Sequence, residues 1–585
     1  MIRTRDRRQA CLIDPWGDLG PKRRRLLEDS WAGLFRQEIL SELPVEALAR
    51  CFHADFGRPA KELQTVLGVL VLQQMHDLTD LETVNQLAFN QQWHYALDIP
   101  SESDAAKYMC PKTLWSNRKK VTDQELDTVL FQEITHKLAK VFEVDTAKQR
   151  LDSVHLKSNM RRLGRLGILT KCINRFLVNL KRQHPELHGG LEPELVARYS
   201  TKQALSCFSQ VKPSASAKTL AAVAQDGFGL VQGFAEHPQV RGMLSYRLLK
   251  RAFDDHCQVK ADGDDAPAEV TVKPAKAVSC QSLQNPSDPE AGYSGHKGQG
   301  YQAQVMETFC DSEEPQVKDQ TLNLITHVAV APAWESDSRA LLPALKDTQA
   351  RKLGPQEVLA DAAYGSDDNC QQAAALEVGV EVVAPLPGLP PSPGLSLADF
   401  QMSPQGQILA CPEGEAPLLS KYRKQRYRVA FPSARCAACS QGPRCPVKPG
   451  KKYHYLSYYE KAGRLAARRA YQQTSGFRHR YRWRAGIEGA MSEYDRLTGV
   501  KRLRVRGLKA VRFCVTLKAV GVNLYRATKV RRAKTRAANP GAESPGRFSW
   551  LFSHVKEQII ALGAAIIDCF VPDAYYGPAD LKMAA

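Results

Sequence analysis

At Thr146 the hydrophobic pattern of this chain changes period, and that change limits the folds open to it. Over residues 43–99 apolar side chains recur at helical spacing, as in Leu63, Val66, Leu67, Leu70 and Val71. From Thr146 the period becomes two, with Asp152, Val154 and Leu156 alternating with Ser153 and His155. Strand-like segments follow at 301–307 and 322–331, then a helical pattern near 338–353, then a short strand over 357–360 that runs into Asp361. Strand, strand, helix, strand is the order of an α/β fold, a mixed sheet with helices packed on it.

The remaining segments arrange themselves around that sheet. A chain of 585 residues exceeds one core, and about three to four domain-sized units are expected. Residues 1–145 read as an all-helical N-terminal domain, in which Thr79 and Glu82 form a capping box. Such a module serves either as a DNA-end-binding unit or as a helical scaffold. Within the first part of the core, 146–384, helical periodicity over 163–257 marks an insertion, and the polar stretch 260–300 reads as loop. The run PLPGLPPSP is a stiff linker that opens a second insertion, 385–471. Residues 472–526 read as helices of the core, broken by Gly499 and Gly507, and 527–585 as a basic linker and a tail helix.

Charge and cysteine usage narrow the function classes. Lys and Arg number 81 against 62 Asp and Glu, a formal excess of +19 that favours a polyanionic partner, with nucleic acid ahead of a membrane surface. The arginine-rich start lacks the apolar stretch of an export signal, and the apolar run 559–571, interrupted by Asp568, is short of the ~20 residues a membrane helix needs. Fifteen cysteines, mostly isolated within apolar patterns such as those of Cys172, Cys207 and Cys514, suit a reducing cytoplasm.

Three carboxylates stand out by context. Asp152 interrupts an apolar strand face, and Asp361 ends the strand EVLAD before a tight exit. Glu488 completes a series with Tyr481 and Arg484 whose spacings of three and four put all three on one helix face, with Asp495 two turns on. A single Asp at a strand end is commonly a turn residue. Acids drawn from separate elements suit two-metal phosphoryl transfer, in which carboxylates offset the repulsion between two divalent ions roughly 4 Å apart. Mg²⁺ takes such oxygen ligands, and Arg484 could grip a phosphate as a bidentate fork.

These motifs resemble those of the DDE transposases of bacterial insertion sequences, most closely the branch named after insertion sequence 1182, related to the insertion sequence 4 group. The C-terminal signature Tyr, two residues, Arg, three residues, Glu is met by Tyr481, Arg484 and Glu488, and the motif around the second aspartate by Asp361, Ala362, Ala363 and Tyr364. Asp152, in LDSVHLKSNM, corresponds to the first aspartate. Further likeness runs through FGRPAKELQTVLGVLVLQQMHDLTDLETVNQL, NPSDPEAGYSGHKGQGYQAQV and RLRVRGLKAVRFCVTLKAVGVNLYR, so that it covers about 51–526. The chain departs at two points: the lysine that continues the signature is replaced by Asp495, with Arg496 the nearest cation, and Ala363 stands where glycine is frequent.

The resemblance implies an RNase H-like core whose Asp152, Asp361 and Glu488 hold two Mg²⁺ or Mn²⁺ ions for strand cleavage and strand transfer. It implies double-stranded DNA as partner, both the terminal inverted repeats and the target, contacted by Tyr481, Arg484 and Arg496. A homodimer on DNA, at the nucleoid in the cytoplasm, is the expected working form. Two alternatives remain at this level: a DNA-binding protein descended from such an enzyme, and an RNase H-like nuclease that cuts without rejoining.

A separate cluster lies in the second insertion. Cys436 and Cys439 form a C-x-x-C, Cys445 follows, and Cys411 precedes them in ILACPEG, with His454 a substitute ligand. Four thiolates can close a tetrahedral structural Zn²⁺ site, and free thiols or a redox pair are the other outcomes.

Overall fold

The computed structural model describes residues 14–53, 56–57, 59–200, 208, 211–260, 269–388 and 394–538. The chain divides into two units, Met1–Val530 and Arg531–Ala585; of the second, only the end of the helix Leu508–Ala538 is described. The apolar run 559–571, most of the stiff linker and Cys207 lie outside the described residues.

Thirteen strands occur among the described residues: β1 (Lys148–Lys157), β2 (Cys257–Lys260), β3 (Glu269–Val272), β4 (Gly292–Ser294), β5 (Gly298–Thr308), β6 (Ile325–Pro332), β7 (Glu357–Ala360), β8 (Glu381–Val383), β9 (Gln401–Met402), β10 (Ile408–Ala410), β11 (Leu419–Arg423), β12 (Arg426–Pro432) and β13 (Tyr453–Tyr459). The main sheet runs β4-β5-β1-β7-β8, with β6 also on β5. β5 is antiparallel to β1 and to β6, whereas β7 lies parallel to β1 and β8 parallel to β7. This mixed α/β sheet is consistent with an RNase H-like core of the DDE type.

Alternation within β1 explains its two-sided burial. Leu151 packs with Met306, Leu341, Leu345 and Val358 on one face, while Val154 and Leu156 join a core on the other. That second core is formed largely by helices. The helix Leu63–Met75 has twelve of its thirteen residues buried, as a helix apolar all round must, and packs with Leu126–Val141, Gly486–Thr498 and Leu508–Ala538. The expected capping box is present: Thr79 Oγ1 accepts from Glu82 N and the Glu82 carboxylate accepts from Thr79 N.

Two segments depart from the expectations. The stretch 260–300 is not simply loop. β2 and β3 form a hairpin whose Cys257, Val270 and Val272 pack on the helices inserted between β1 and β5, and β4 then pairs with β5. So few apolar residues mark these strands because the hairpin needs only three side chains to seat it. The insertion has a core of its own around Phe176, Phe234, Tyr246 and Phe253. Nor do Tyr481, Arg484 and Glu488 share one α-helix: Ser475–Tyr481 is followed by a 3₁₀ turn, Arg482–Ala485, and only then by Gly486–Thr498. The Trp483 carbonyl within this tighter turn accepts from Arg150 Nη1 of β1 at 2.9 Å, a tertiary bond that the local spacing could not reveal.

Candidate active site

Pairing register sets the first two carboxylates side by side. Leu151 lies opposite Ala360 in the parallel β1–β7 pair, so Asp152, midway along β1, and Asp361, the residue after β7, occupy neighbouring positions where the shorter strand ends. A strand end such as that of β7 lines the crevice of an open α/β sheet. The chain turns immediately after β7: Asp361 Oδ1 accepts from Ala363 N at 2.8 Å and Tyr364 N donates to the Asp361 carbonyl. Ala363 is not among the residues of positive φ, so the turn needs no glycine there.

Glu488 reaches this corner from the far side through Arg484. The guanidinium donates to Asp152 Oδ2 at 2.7 Å from Nη2 and to Glu488 Oε1 at 3.4 Å from Nη1, while its Nε is buried without a partner. Glu488 is the open member, its side chain 73% exposed against 15% for Asp152. What holds the helix start against the sheet is a close approach at Gly486, where a Cβ would stand 2.1 Å from Arg150 Nη1. Arg150 in turn pairs with fully buried Glu307 of β5, whose other oxygen receives Arg526 at 2.7 Å.

Electrostatics tie the corner together. Burial, foremost, raises the Asp152 carboxyl above its ordinary value; Asp361 and Asp337 push the same way, and the Ser153 amide and Arg484 oppose them. Tyr481, half-buried and stacked on Phe477 with ring centroids 5.2 Å apart, has its phenol raised by burial first, with Asp361, Asp152 and Glu488 adding and Arg484 opposing. Asp337 is a residue the sequence pattern did not single out. Its Oδ1 accepts from Gln304 Nε2 at 2.7 Å and its Oδ2 from Ser153 Oγ at 3.2 Å, with Lys297 Nζ 3.7 Å away. Gln304 Oε1 accepts from the buried Tyr364 hydroxyl at 2.5 Å. Asp337 sits just before the helix Leu341–Ala350, where an acid reads as a helix-start residue, and only the strand register brings it beside Asp152.

The other expected residues lie apart from this corner. Arg496 is exposed on the helix Gly486–Thr498, and Asp495 accepts from Lys501 N at 3.0 Å near that helix's end. Cys411, Cys436, Cys439, Cys445 and His454 line one cavity of about 240 Å³ in the second insertion, and all four cysteines are free thiols. Burial first, then the neighbouring thiols, raises the Cys436 thiol.

With this geometry in view, two family profiles match: Transposase DDE domain over residues 410–528, and Transposase domain (DUF772) over 29–120. Both matched segments are transposase domains. The first contains Tyr481, Arg484 and Glu488 and also the cysteine-bearing sheet; the second covers much of the N-terminal helices. No curated protein and no solved structure matches the chain. DNA as substrate and divalent ions as cofactors go with the transposase family. No described helix is long and apolar enough to cross a membrane.

Fit to a divalent ion is met in kind and not in closure. The donor set consists of carboxylates only, two of them adjacent, and Asp152, raised first by burial, is also repelled by Asp361 and Asp337, a repulsion that a hard cation would relieve. In distance the set stays open: among the described residues no group of three or more His, Cys, Asp or Glu side chains is arranged to hold a metal ion, and the Arg484 guanidinium bridges Asp152 and Glu488. The same absence applies to the cysteine cavity.

Proposed function

We propose that this chain is a DDE transposase that cleaves and rejoins DNA at the ends of an insertion sequence of the 1182 branch, with Asp152, Asp361 and Glu488 as its metal-holding carboxylates. The observation that carries the reading is the register that sets Asp152 beside Asp361, with Glu488 tethered to the same corner by Arg484. Two Mg²⁺ or Mn²⁺ ions, when bound, would supply activation of the attacking hydroxyl and stabilisation of the leaving oxygen. The chain's own residues do the rest. Asp152 is held in place by the Ser153 amide and by Arg484; Arg484, released from the two carboxylates, becomes a fork for a phosphate of the transposon end. Glu488, exposed and on a helix anchored through Arg150, can shift toward the aspartates without disturbing the core.

In this reading residues 1–145 bind DNA ends, 146–384 and 472–526 form the catalytic core, 385–471 an accessory insertion, and 527–585 a basic linker and tail. Tyr481, Arg484 and Arg496 contact the terminal inverted repeats, and two copies work together on DNA at the nucleoid. Cys411, Cys436, Cys439 and Cys445, which share a cavity, hold a structural Zn²⁺.

The deciding experiment incubates purified protein with a duplex carrying the element's end in Mg²⁺ and follows nicking and joining. Cleavage and strand transfer by the wild type, both abolished in Asp361→Asn, are expected. Cutting without joining would indicate the nuclease reading, and binding without cutting a DNA-binding descendant.

A further inference from the structure

The three-stranded sheet β11-β12-β13 presents two chemically opposite faces. Its inner face carries Tyr427, Val429, Phe431, Leu456 and Tyr458, which pack in the small core that also receives Cys411, Cys436 and Cys445. Register fixes the outer face. Lys421 lies opposite Arg428 and Arg423 opposite Arg426 across β11–β12, while Arg426 lies opposite Tyr459 and Ala430 opposite Tyr455 across β12–β13. Directly opposed residues of an antiparallel pair project to the same side, so four cations and the tyrosines share one face. All four cations are exposed, and Tyr459 is 61% exposed.

Such a face costs stability in the isolated protein. Lys421–Arg428 and Arg423–Arg426 are like charges placed directly across from one another, a destabilising arrangement. No acidic residue lies on this face of the three strands, and none of the four cations has a carboxylate partner among the described residues. The two arginines of β12 are instead laid over aromatic rings, Arg428 4.3 Å from the centroid of Tyr455 and Arg426 5.2 Å from that of Tyr459. A ring orients a guanidinium without neutralising it, leaving its N–H groups free for oxygen acceptors. An ordinary solvated surface intersperses both signs; this one has a single sign, held in order.

We infer that the outer face of this sheet is a docking surface for the phosphate backbone of duplex DNA, separate from the carboxylate corner. The inference rests on the reading that the chain acts on DNA, and assigns to that partner a second region of binding. Polyphosphate is the chemistry that relieves two opposed like-charge pairs at once. Tyrosine hydroxyls at the edge add the sequence-independent phosphate hydrogen bonds that fix a duplex in place.

The test uses the full chain and a short labelled duplex of arbitrary sequence, with binding followed by anisotropy from about 50 to 200 mM salt. Each of the double variants Lys421→Gln/Arg423→Gln and Arg426→Gln/Arg428→Gln should lower the slope of log K against log salt by about 1.8, at about 0.9 for each phosphate no longer neutralised. Arg426→Lys/Arg428→Lys should keep the slope. Two folded doubles with the wild-type slope would overturn the inference, and should one double fail to fold, the other decides. A single strand that binds more tightly than the duplex, with the preference abolished in the doubles, would also overturn it. Its failure is separable from that of the catalytic reading: a chain that cleaves DNA while the doubles keep their slope removes only the docking surface, and one that never cleaves while the doubles show the reduced slope removes only the chemistry.

Discussion

Glu488 and Asp152 differ most in what their removal would do, because one is open to solvent and the other is not. Replacing exposed Glu488 by Gln removes a charge but keeps an oxygen that can accept from Arg484, 3.4 Å away, so stability should stay within about 0.5 kcal/mol while cleavage in Mg²⁺ collapses. A thermal melt paired with a cleavage assay reads both, and near-normal cleavage by the folded variant would remove Glu488 from the site. Glu307 is the opposite case. Wholly buried between Arg150 and Arg526, it offsets two guanidinium charges; Glu307→Gln leaves Arg150 without a carboxylate and Arg526 with Glu493 alone, and should cost roughly 3–5 kcal/mol in a denaturant titration. Asp152, Asp361 and Glu488 were each legible in the sequence because they interrupt or end a periodic pattern. Asp337 and Glu307 were not, since their partners lie on other strands and, for Arg526, on the last helix, so that strand register and tertiary packing, which no local spacing encodes, bring them together.

At the level of elements, the helix Leu63–Met75 and its surroundings carry a pH dependence. Burial lowers the His76 imidazole to about 4, and the ring stacks on Trp93 and meets the Tyr525 hydroxyl at 3.1 Å. A histidine depressed in the folded state takes up its proton preferentially on unfolding. Its contribution is therefore full above the unfolded value near 6.5 and is lost as pH falls from there toward 4. Titrating stability over that window should give a steeper acid decline for the wild type than for His76→Gln, and equal slopes would show that His76 does not titrate there. The second insertion poses a different question. Its core is small, and four free thiols line one cavity beside it, so zinc bound there would hold its turns together. Purified protein should contain about one zinc per chain, absent along with the insertion's protease resistance in Cys436→Ser/Cys439→Ser; a wild-type protein without zinc would leave these as free thiols. The stiff linker and the C-x-x-C announced this element in the sequence, whereas the short strands β9 and β10 left no periodic trace because two or three residues cannot set a period.

Across the whole molecule, cores and sequence segments do not coincide. The N-terminal helices were readable as a separate module from their period alone, yet Leu130, Ile134 and Leu138 belong to the same apolar cluster as Val154 and Leu156 of β1 and as Val515, Leu517 and Val522 of the last helix. The inserted helices between β1 and β5, by contrast, enclose their own cluster. Buried apolar area that spans a boundary couples the two sides into one cooperative transition, while a self-contained core can open alone. Leu138→Ala, a fully buried side chain in the shared cluster, should therefore cost about 2–5 kcal/mol and weaken the N-terminal helices and the main sheet together. Phe176→Ala in the insertion should destabilise by about 3–5 kcal/mol, but only locally. Hydrogen exchange distinguishes the two. Protection should fall throughout β1, β5 and Leu63–Met75 in the first variant, and in the second only across the helices Arg165–Gln183 and Leu244–His256. A fall confined to the N-terminal helices in Leu138→Ala would mean that they form an independent domain after all.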